Sequence, residues 1–379
     1  MTVAQSPAPA AGAAADVVTR VTNAPVTRPT THLSSASSQM SGRPAAAAYP
    51  ILYSAAAAPT AGSGSAALPA RHRRFGLPQA SKSGRAWLSG AWLGGQFNAG
   101  ALRSFGGWRG SAVETVTTYS EKSSFAAIRD EDWSIYTFKG FPGTLTYGLS
   151  ILPDNGQGSL ATIAAGRHDD VWRGVARNLV KHGRGRSIVR IGLEANGAWF
   201  RWGATARTAS AFRAAFRRVA KVMKSQAPGL IIDFNIGCGV KLQGSTNRMA
   251  SLTMLYPGDD VVNIIGCDHY DSWSTRANSA KSWAAAIRPR AGAGLADVAT
   301  FARAHRKGFS VPEWGLTKKA AAGLGDNSYM IVKMRQFLQA NRDVLVYENY
   351  FNESDSFLAS SLWNPVQNNR SGKAYRQLW

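Results

Sequence analysis

Two glutamates, each at the end of an apolar run and each beside a tryptophan, are the residues of this chain whose types and spacing suggest chemistry. Glu194 follows the run 187–191 and begins the sequence Glu-Ala-Asn-Gly-Ala-Trp-Phe-Arg-Trp. Glu313 ends a second apolar run and directly precedes Trp314. Two carboxyl groups can act as proton donor and nucleophile, and flat aromatic rings suit the apolar face of a sugar. The pattern predicts glycosidic bond cleavage.

Several nearby side chains could hold a carboxylate or a sugar. Arg190 lies four positions before Glu194, so on one strand both would point to the same side and the guanidinium could stabilise a carboxylate, with an ion pair to some other strand-end acid as the alternative. Asn196 is predicted to hydrogen-bond a sugar hydroxyl, with an Asn-Gly turn as the alternative. Tyr270 is a candidate to hydrogen-bond the nucleophile, or else packs in a loop. The other predicted substrate-binding residues are Trp199, Trp202, His269, Trp273 and Trp314. Because Trp is also a common packing residue, about two of the four tryptophans are expected to contact a sugar.

Eight short apolar runs, with helical stretches between them, must position these residues. Their lengths fit buried strands, and a 3.6-residue periodicity predicts helices at 169–182, 208–226, 294–307 and 327–341. Apolar strands joined by helices are typical of a parallel sheet, and eight of them predict a closed (β/α)8 TIM barrel of the α/β class. The predicted strands are 87–94, 113–119, 145–152, 187–194, 230–236, 261–268, 309–313 and 344–350.

The candidate residues follow these predicted strands. In a (β/α)8 barrel the carboxyl ends of the strands meet at one face, where active sites lie. Glu194 and Glu313 are therefore expected to meet there, with Asp268 and His269 as further subsite candidates. A doubly wound sheet would instead need a glycine-rich phosphate turn after its first strand, and the glycines near residue 95 do not supply one.

The chain of 379 residues divides by composition into two parts. Residues 1–84 are rich in Ala, Pro, Ser and Thr and contain one acid, Asp16, so we predict a low-complexity segment that is disordered or targeting. Residues 85–379 have the mixed composition and the length of a single barrel domain. The fold and the site are therefore both assigned to residues 85–379.

The net charge of +22 favours an anionic partner or a solvated basic surface. Eight basic residues lie in the first 85 positions, so most of the surplus belongs to the domain. We take the solvated surface as the interpretation. The sequence has no helix-turn-helix, zinc-finger or RNA-recognition signature, so no nucleic acid partner is expected.

The cysteine pattern and the proposed chemistry predict no metal and no cofactor. Cys238 and Cys267 cannot complete a structural zinc site alone, and no His or Cys cluster has ligand spacing. The two cysteines could pair in an oxidising compartment or be small buried residues, and unpaired core cysteines are the favoured interpretation. Glycoside hydrolysis by two carboxyl groups requires no metal.

The targeting features of the chain centre on Met40. No apolar run in the sequence is long enough to span a membrane. Met40 is followed by Arg43, an apolar stretch and small residues, the order of a secretory signal, with a plain low-complexity linker as the alternative. We therefore expect a secreted or cell-surface protein, with a cytoplasmic location as the alternative.

With these motifs in view, residues from about Trp87 to Trp379 resemble glycoside hydrolase family 26, the β-mannanase-like group of retaining (β/α)8 enzymes. Residues 194–202 resemble the strand-four motif that carries the acid/base, residues 256–268 the strand-six segment, and residues 311–315 the strand-seven nucleophile segment. Family mannanases usually carry His immediately before the acid/base, where this chain has Leu193. The departure concerns the substrate rather than the fold.

The resemblance implies a retaining hydrolase of a β-linked polysaccharide or oligosaccharide, mannan-like or related. Glu194 would be the acid/base and Glu313 the nucleophile of a double displacement. The substrate glycan is the expected partner. The alternative is a non-catalytic barrel that binds a carbohydrate or polyanion and whose glutamates no longer react.

Overall fold

The computed structural model describes Phe75, residues 81–94 and residues 98–379. Within these residues, eight parallel strands follow one another around a closed barrel, and the last pairs with the first. The predicted α/β TIM-barrel fold is confirmed. The strands are β1 (Leu88–Trp92), β2 (Thr115–Tyr119), β3 (Thr144–Leu149), β4 (Ile188–Ile191), β5 (Ile231–Gly237), β6 (Ile264–Tyr270), β7 (Gly308–Gly315) and β8 (Leu345–Phe351).

Helices connect the strands, and the four helices that periodicity predicts are all present, as α5, α6, α9 and α10 of the numbering given next. The α-helices of the described residues are α1 (Ala99–Arg109), α2 (Phe125–Asp130), α3 (Trp133–Tyr136), α4 (Leu160–Ala164), α5 (Asp169–Lys181), α6 (Ala209–Gln226), α7 (Ala250–Thr253), α8 (Ala280–Ala286), α9 (Leu295–Ala304), α10 (Ser328–Ala340) and α11 (Asn369–Leu378).

Helix α6 shows how sequence spacing orients these helices. Phe212, Phe216 and Val219 recur every three or four residues and are all fully buried. Arg217 and Arg218 lie between them and form ion pairs with the acids of neighbouring segments. The apolar face therefore covers the barrel, and the arginines of this segment belong to the outer surface.

Alternate side chains of each strand point into the barrel and form layers. The lowest layer is apolar and contains Leu88, Ile188, Ile231 and Ile264, which cluster with Phe75. Above it lies a polar layer in which Asp233 accepts hydrogen bonds from Ser310 and Tyr347 (2.8 and 2.7 Å). Of the candidate site residues, Arg190, Asp268, Tyr270 and Glu313 lie above these layers, at the carboxyl ends of the strands.

Strand β4 ends at Ile191, three residues before the end of the predicted strand 187–194. Gly192 has φ 54° and Glu194 has φ 48°, both in the left-handed region. A non-glycine residue in this region carries about 1–3 kcal/mol of strain, and such residues concentrate at functional sites. The turn therefore lifts Glu194 off the strand, rather than leaving it as the last strand residue.

Cys238 and Cys267 form a disulfide, so the favoured interpretation of unpaired core cysteines is wrong. Cys267 lies in β6, Cys238 directly follows β5, and their Cα atoms are 5.3 Å apart. Parallel strands bring residues of nearby rows within bonding distance, and that proximity depends on strand register, which spacing in the sequence does not reveal. The bond joins the two strands next to the site.

The predicted domain boundary at residue 85 stays a prediction, but contacts of the barrel begin before it. Phe75 lies in the apolar cluster at the barrel floor, and the Ser81 hydroxyl donates to Glu114 (2.9 Å). The possible signal segment near Met40 and nearly all of residues 1–84 lie outside the described residues. None of the described helices combines the length and apolarity required to cross a membrane.

Candidate active site

Glu313, in β7, is held by three hydrogen-bond donors from three other strands. Its Oε1 accepts from the Tyr119 hydroxyl and from Arg190 Nη1, both at 2.7 Å, and its Oε2 accepts from the Tyr270 hydroxyl at 2.9 Å. The side chain is almost completely buried. One positive and two polar donors stabilise a negative charge on this carboxyl group and fix its orientation.

Glu194 is buried as well but has far fewer donors. Its Oε2 accepts one hydrogen bond from the indole of Trp199 at 2.8 Å. Its backbone N–H donates to Asn235 Oδ1 at 2.9 Å, which holds the turn after β4. Burial, together with the negative charge of Glu313, raises the pKa of Glu194 to about 8. The carboxyl group therefore holds its proton near neutral pH.

Arg190 is completely buried below the two glutamates and links three strands. Besides Glu313 it donates to Asn235 Oδ1 (2.9 Å) and forms an ion pair with Asp268. The Asn235 amide also donates to Asp268 (3.1 Å). The two carboxylates neutralise the guanidinium, and residues of β5, β6 and β7 orient its two terminal nitrogens, while its buried Nε has no hydrogen-bond partner among the described residues. It acts on the carboxylate of Glu313 and is not open to substrate.

Asn196 has its amide engaged by the backbone that follows β5. Its Nδ2 donates to the carbonyl groups of Gly237 and Val240, and its Oδ1 accepts from the Gly237 N–H, at 2.8–3.0 Å. Both amide hydrogens are therefore used within the protein. In place of the predicted sugar contact, the side chain clamps the Glu194 loop to β5.

Three further candidates are buried away from the barrel mouth. The Trp202 indole donates to the Leu193 carbonyl and its ring stacks on Phe200, so no face is open to a sugar. The Trp314 indole donates to Glu348 (2.6 Å) on the outer side of the strands. This burial argues against the sugar contacts predicted for both tryptophans.

His269 is the third of these, and strand alternation explains its position. Neighbouring residues of a strand point to opposite faces, and Tyr270 points into the barrel. The His269 ring therefore points outward, is fully buried, and lies near Trp283. Burial lowers the pKa of this imidazole to about 3, so it stays neutral and carries no substrate role in this geometry.

Trp199, which donates to Glu194, and Trp273, in the loop after β6, remain as candidate aromatic surfaces. Trp273 is 54% exposed and has φ 49°, and its N–H bonds to Ala322 in the loop after β7. Ser272 also forms an antiparallel bridge with Gly323. A strained, exposed tryptophan that two loops hold in place is suited to stacking on a sugar ring.

Tyr119 and Asn235 contribute more to the site than sequence reasoning assigned to them, and Asp268 has a different role. Each occupies an inward position at or near the carboxyl end of its strand, and Tyr119 ends the predicted strand 113–119. Its place at the end of a predicted strand could have identified Tyr119 as a candidate site residue from the sequence. The ion pair between Asp268 and Arg190 depends on side-chain contacts across the barrel, which local sequence does not encode.

The sequence of this chain is similar to part of known glycoside hydrolase sequences. A sequence model of the family described as Glycosyl hydrolase family 26 matches residues 176–306, which include Glu194 and β4 to β6. Mannan endo-1,4-beta-mannosidase of Bifidobacterium adolescentis is 25% identical over 192 residues, 48% of this chain. The match covers only 18% of that protein's length.

Solved structures show the same barrel. An endo-beta-1,4-mannanase double mutant of Cellulomonas fimi superposes with a TM-score of 0.55 at 16% identity, over 77% of this chain and 71% of that chain. The Bacillus subtilis mannanase BCman gives 0.51 at 17% identity, over 79% and 87%. At such identities the likeness concerns the fold.

Proposed function

From the premise that this chain is a divergent glycosyl hydrolase family 26-like barrel, we propose that it is a retaining glycoside hydrolase of a β-linked polysaccharide or oligosaccharide. Glu313 is the nucleophile and Glu194 the acid/base. The first substrates to test are mannan-like glycans cleaved within the chain, because relatives named as mannanases share the fold or part of the sequence.

In the first step, a Glu313 oxygen bonds to the anomeric carbon while the glycosidic bond breaks. Glu194 transfers its proton to the departing oxygen, so the leaving sugar departs as an alcohol. In the second step, Glu194 takes a proton from water, the resulting hydroxide replaces Glu313 at the anomeric carbon, and both carboxyl groups return to their starting states. Two inversions give net retention of configuration.

The contrast between the two carboxyl environments is the observation that carries this proposal. Glu313 accepts from a guanidinium and two phenols, whereas Glu194 accepts from one indole in a buried position. The pKa of Glu194 is raised to about 8, as proton donation near neutral pH requires. This division of environments is the one that a proton donor paired with an ionised nucleophile requires.

Leu193 bears on which sugar the enzyme binds. Where family mannanases usually have His, this chain has a buried aliphatic side chain beside the acid/base. A hydrogen bond that an imidazole could make to the substrate at that point is absent. The substrate is therefore a mannan-like or related β-glycan whose recognition relies on other contacts, with Trp273 as the exposed aromatic platform.

A secreted or cell-surface location belongs to the same proposal. Disulfides persist in oxidising compartments and are rare in the cytosol, and Cys238 and Cys267 are bonded. A polymeric glycan outside the cell is also the substrate that a secreted hydrolase meets. Western blotting of culture supernatant and cell fractions tests this, and protein confined to the cytosol would contradict it.

A panel of β-mannan, β-glucan, xylan and galactan tests the function. Wild type is expected to release reducing ends from at least one glycan, and Glu313→Gln and Glu194→Gln are expected to release none while still binding it. Glu121→Gln is the matched control, because Glu121 also lies at a strand end and bonds only to neighbouring backbone N–H groups. Binding by wild type without turnover would support the non-catalytic carbohydrate-binding barrel instead.

A further inference from the structure

Strand β7 contains one residue more than its neighbours at the point where Glu313 stands. Between the pairs Gly266↔Ser310 and His269↔Trp314, β6 advances three residues and β7 advances four. On the other side, β7 advances three residues between the pairs Val311↔Glu348 and Trp314↔Tyr350, and β8 advances two. Neither Pro312 nor Glu313 has a register partner on either side. This is a bulge, a feature that re-aims side chains next to active sites.

The bulge decides which way Glu313 points. Ser310 faces the barrel interior, where it donates to Asp233. The Pro312 ring faces inward as well, since a Cβ on the inward position Gly266 would lie 3.0 Å from Pro312 Cγ. Strict alternation would then send Glu313 outward and Trp314 inward. The structure has the reverse, with Glu313 in the site and Trp314 bonded to Glu348 outside.

The bulged backbone is held from the opposite wall of the barrel. The Thr117 hydroxyl, on β2, donates to the carbonyl oxygen of Pro312 at 3.2 Å. Thr117 is fully buried and points inward, as Tyr119 does two residues later. One strand therefore supplies both a bond to the backbone just before Glu313 and a bond to the Glu313 carboxylate.

Asn349 orients the Thr117 hydroxyl. Its Nδ2 donates to Thr117 Oγ1 at 2.8 Å and to Thr146 Oγ1 at 3.2 Å. The Thr146 hydroxyl donates to the Val116 carbonyl, and it lies 3.0 Å from the Thr117 hydroxyl. With one Thr117 lone pair occupied by Asn349, the Thr117 proton is shared between Thr146 Oγ1 and the Pro312 carbonyl. Gly90 makes room for the amide, because a Cβ there would lie 2.1 Å from Asn349 Oδ1.

We propose that Thr117, oriented by Asn349, is a positioning residue that fixes the β7 bulge and so aims Glu313 at the reacting carbon. The proposal rests on the role of Glu313 as nucleophile given above. It assigns to a buried threonine, which touches neither the substrate nor the carboxylate, the function of keeping Glu313 in reach of Tyr119 and Arg190. Loss of the bond lets the backbone of Pro312 relax and moves the carboxylate.

Thr117→Val tests the proposal, because valine keeps the shape and β-branching but lacks the hydroxyl. We expect kcat to fall roughly 10- to 100-fold, the effect of a displacement of about 1 Å at a reacting group, with KM nearly unchanged. Thr117→Ser restores a hydroxyl and should retain most of the activity.

Thr118→Val is the matched control. Thr118 is the next residue of β2, is also buried, and donates to the Ser134 carbonyl on the outer side at 3.0 Å. Its loss should lower the melting temperature without changing kcat. A kcat of Thr117→Val within twofold of that of Thr118→Val would overturn the proposal.

A crystal structure of Thr117→Val separates this proposal from the proposed function. We expect the Glu313 carboxylate to have left at least one of its partners Tyr119 and Arg190, whether or not a substrate is known. An unchanged Glu313 in that structure contradicts the positioning role. Absence of turnover in wild type, with a displaced Glu313 in the variant, contradicts only the proposed function. Should Thr117→Val not fold, the Asn349→Asp variant provides the same comparison, because it removes the amide donor that orients Thr117.

Discussion

Glu194 and Glu313 illustrate how neighbours divide one kind of side chain between two tasks. Glu313 is surrounded by Tyr119, Tyr270 and Arg190, which donate to both of its oxygens. Glu194 accepts one hydrogen bond from the Trp199 indole and is only 6% exposed. Environments of this kind push the proton affinities of paired carboxyl groups apart and so define an acid and a nucleophile.

The raised pKa of Glu194 predicts a dependence of stability on pH. Burial, then the charge of Glu313, raises this pKa from 4.5 to about 8, so the folded protein keeps a proton that the unfolded chain releases. The contribution of Glu194 to the free energy of unfolding is therefore fully present below pH 4.5 and is lost as the pH rises towards 8. Glu194→Gln, which cannot ionise, should be more stable than wild type by about 2–4 kcal/mol at pH 7 and equal to it at pH 4.

Urea unfolding at pH 4, 5.5 and 7 measures this difference. Glu121→Gln, at a strand end but not in the site, should show no trend with pH relative to wild type. A stability gap between wild type and Glu194→Gln that is the same at all three pH values would contradict a raised pKa for Glu194.

Replacing Glu194, the proposed acid, should reduce turnover most for substrates whose leaving group is poor. For Glu194→Ala we expect turnover of a natural glycan to fall at least about 100-fold, in line with the usual contribution of general acid catalysis. A β-glycoside with a nitrophenolate leaving group needs no protonation, so its first step should fall much less, and added azide should speed its second step. Stopped-flow and steady-state assays measure both, and equal losses for both substrates would refute the acid role.

At the scale of elements, the strands and main helices were predictable because each combines an apolar pattern with a length that fits its type. The direction in which a side chain points could be predicted where strand alternation is regular, as for Arg190. The prediction that both His269 and Tyr270 contact the substrate failed at His269, because only one of two neighbouring strand residues can face the interior. The turn at Glu194 and the bulge at Glu313 break alternation, and bonds from β5 and β2 hold them, so no local pattern contains them.

The disulfide between Cys238 and Cys267 is an element-scale constraint with a measurable contribution. It closes a segment with a sequence separation of 29 and joins β5 and β6, which carry Asn235 and Asp268. Chain-entropy arguments give about 3–4 kcal/mol for such a loop. The double variant Cys238→Ala/Cys267→Ala should be less stable by that order in urea unfolding.

Dithiothreitol provides the control. It should destabilise the wild type and leave the double variant unchanged. A variant as stable as oxidised wild type would show that the bond contributes nothing to the free energy of folding.

At the scale of the whole molecule, the charge of +22 and the neutralised site belong to different regions. Arg190 is paired with Asp268 and Glu313 inside the barrel, whereas arginines such as Arg303 pair with acids between the outer helices. Inside the described barrel, two carboxylates therefore balance Arg190, and its guanidinium offers no free positive charge to an anionic sugar.

Salt should therefore have little effect on catalysis with a neutral glycan. We expect KM to change by less than about twofold between roughly 0.05 and 0.5 M NaCl, a range over which interactions of surface charges are largely screened. Retention on a polyanion column should be lost in the same range. A roughly tenfold rise in KM would instead indicate that surface cations bind the substrate and that the natural glycan is anionic.

The central claim, that Glu313 is the nucleophile and Glu194 the acid/base of a double displacement, is tested most directly by mass spectrometry of a trapped intermediate. In Glu194→Ala an activated β-glycoside can still glycosylate the enzyme, while the second step lacks its base, so the intermediate should accumulate. The account predicts one added glycosyl unit on the proteolytic peptide that contains Glu313, and none in Glu194→Ala/Glu313→Gln. An adduct on another residue, or active enzyme that never carries one, would contradict it.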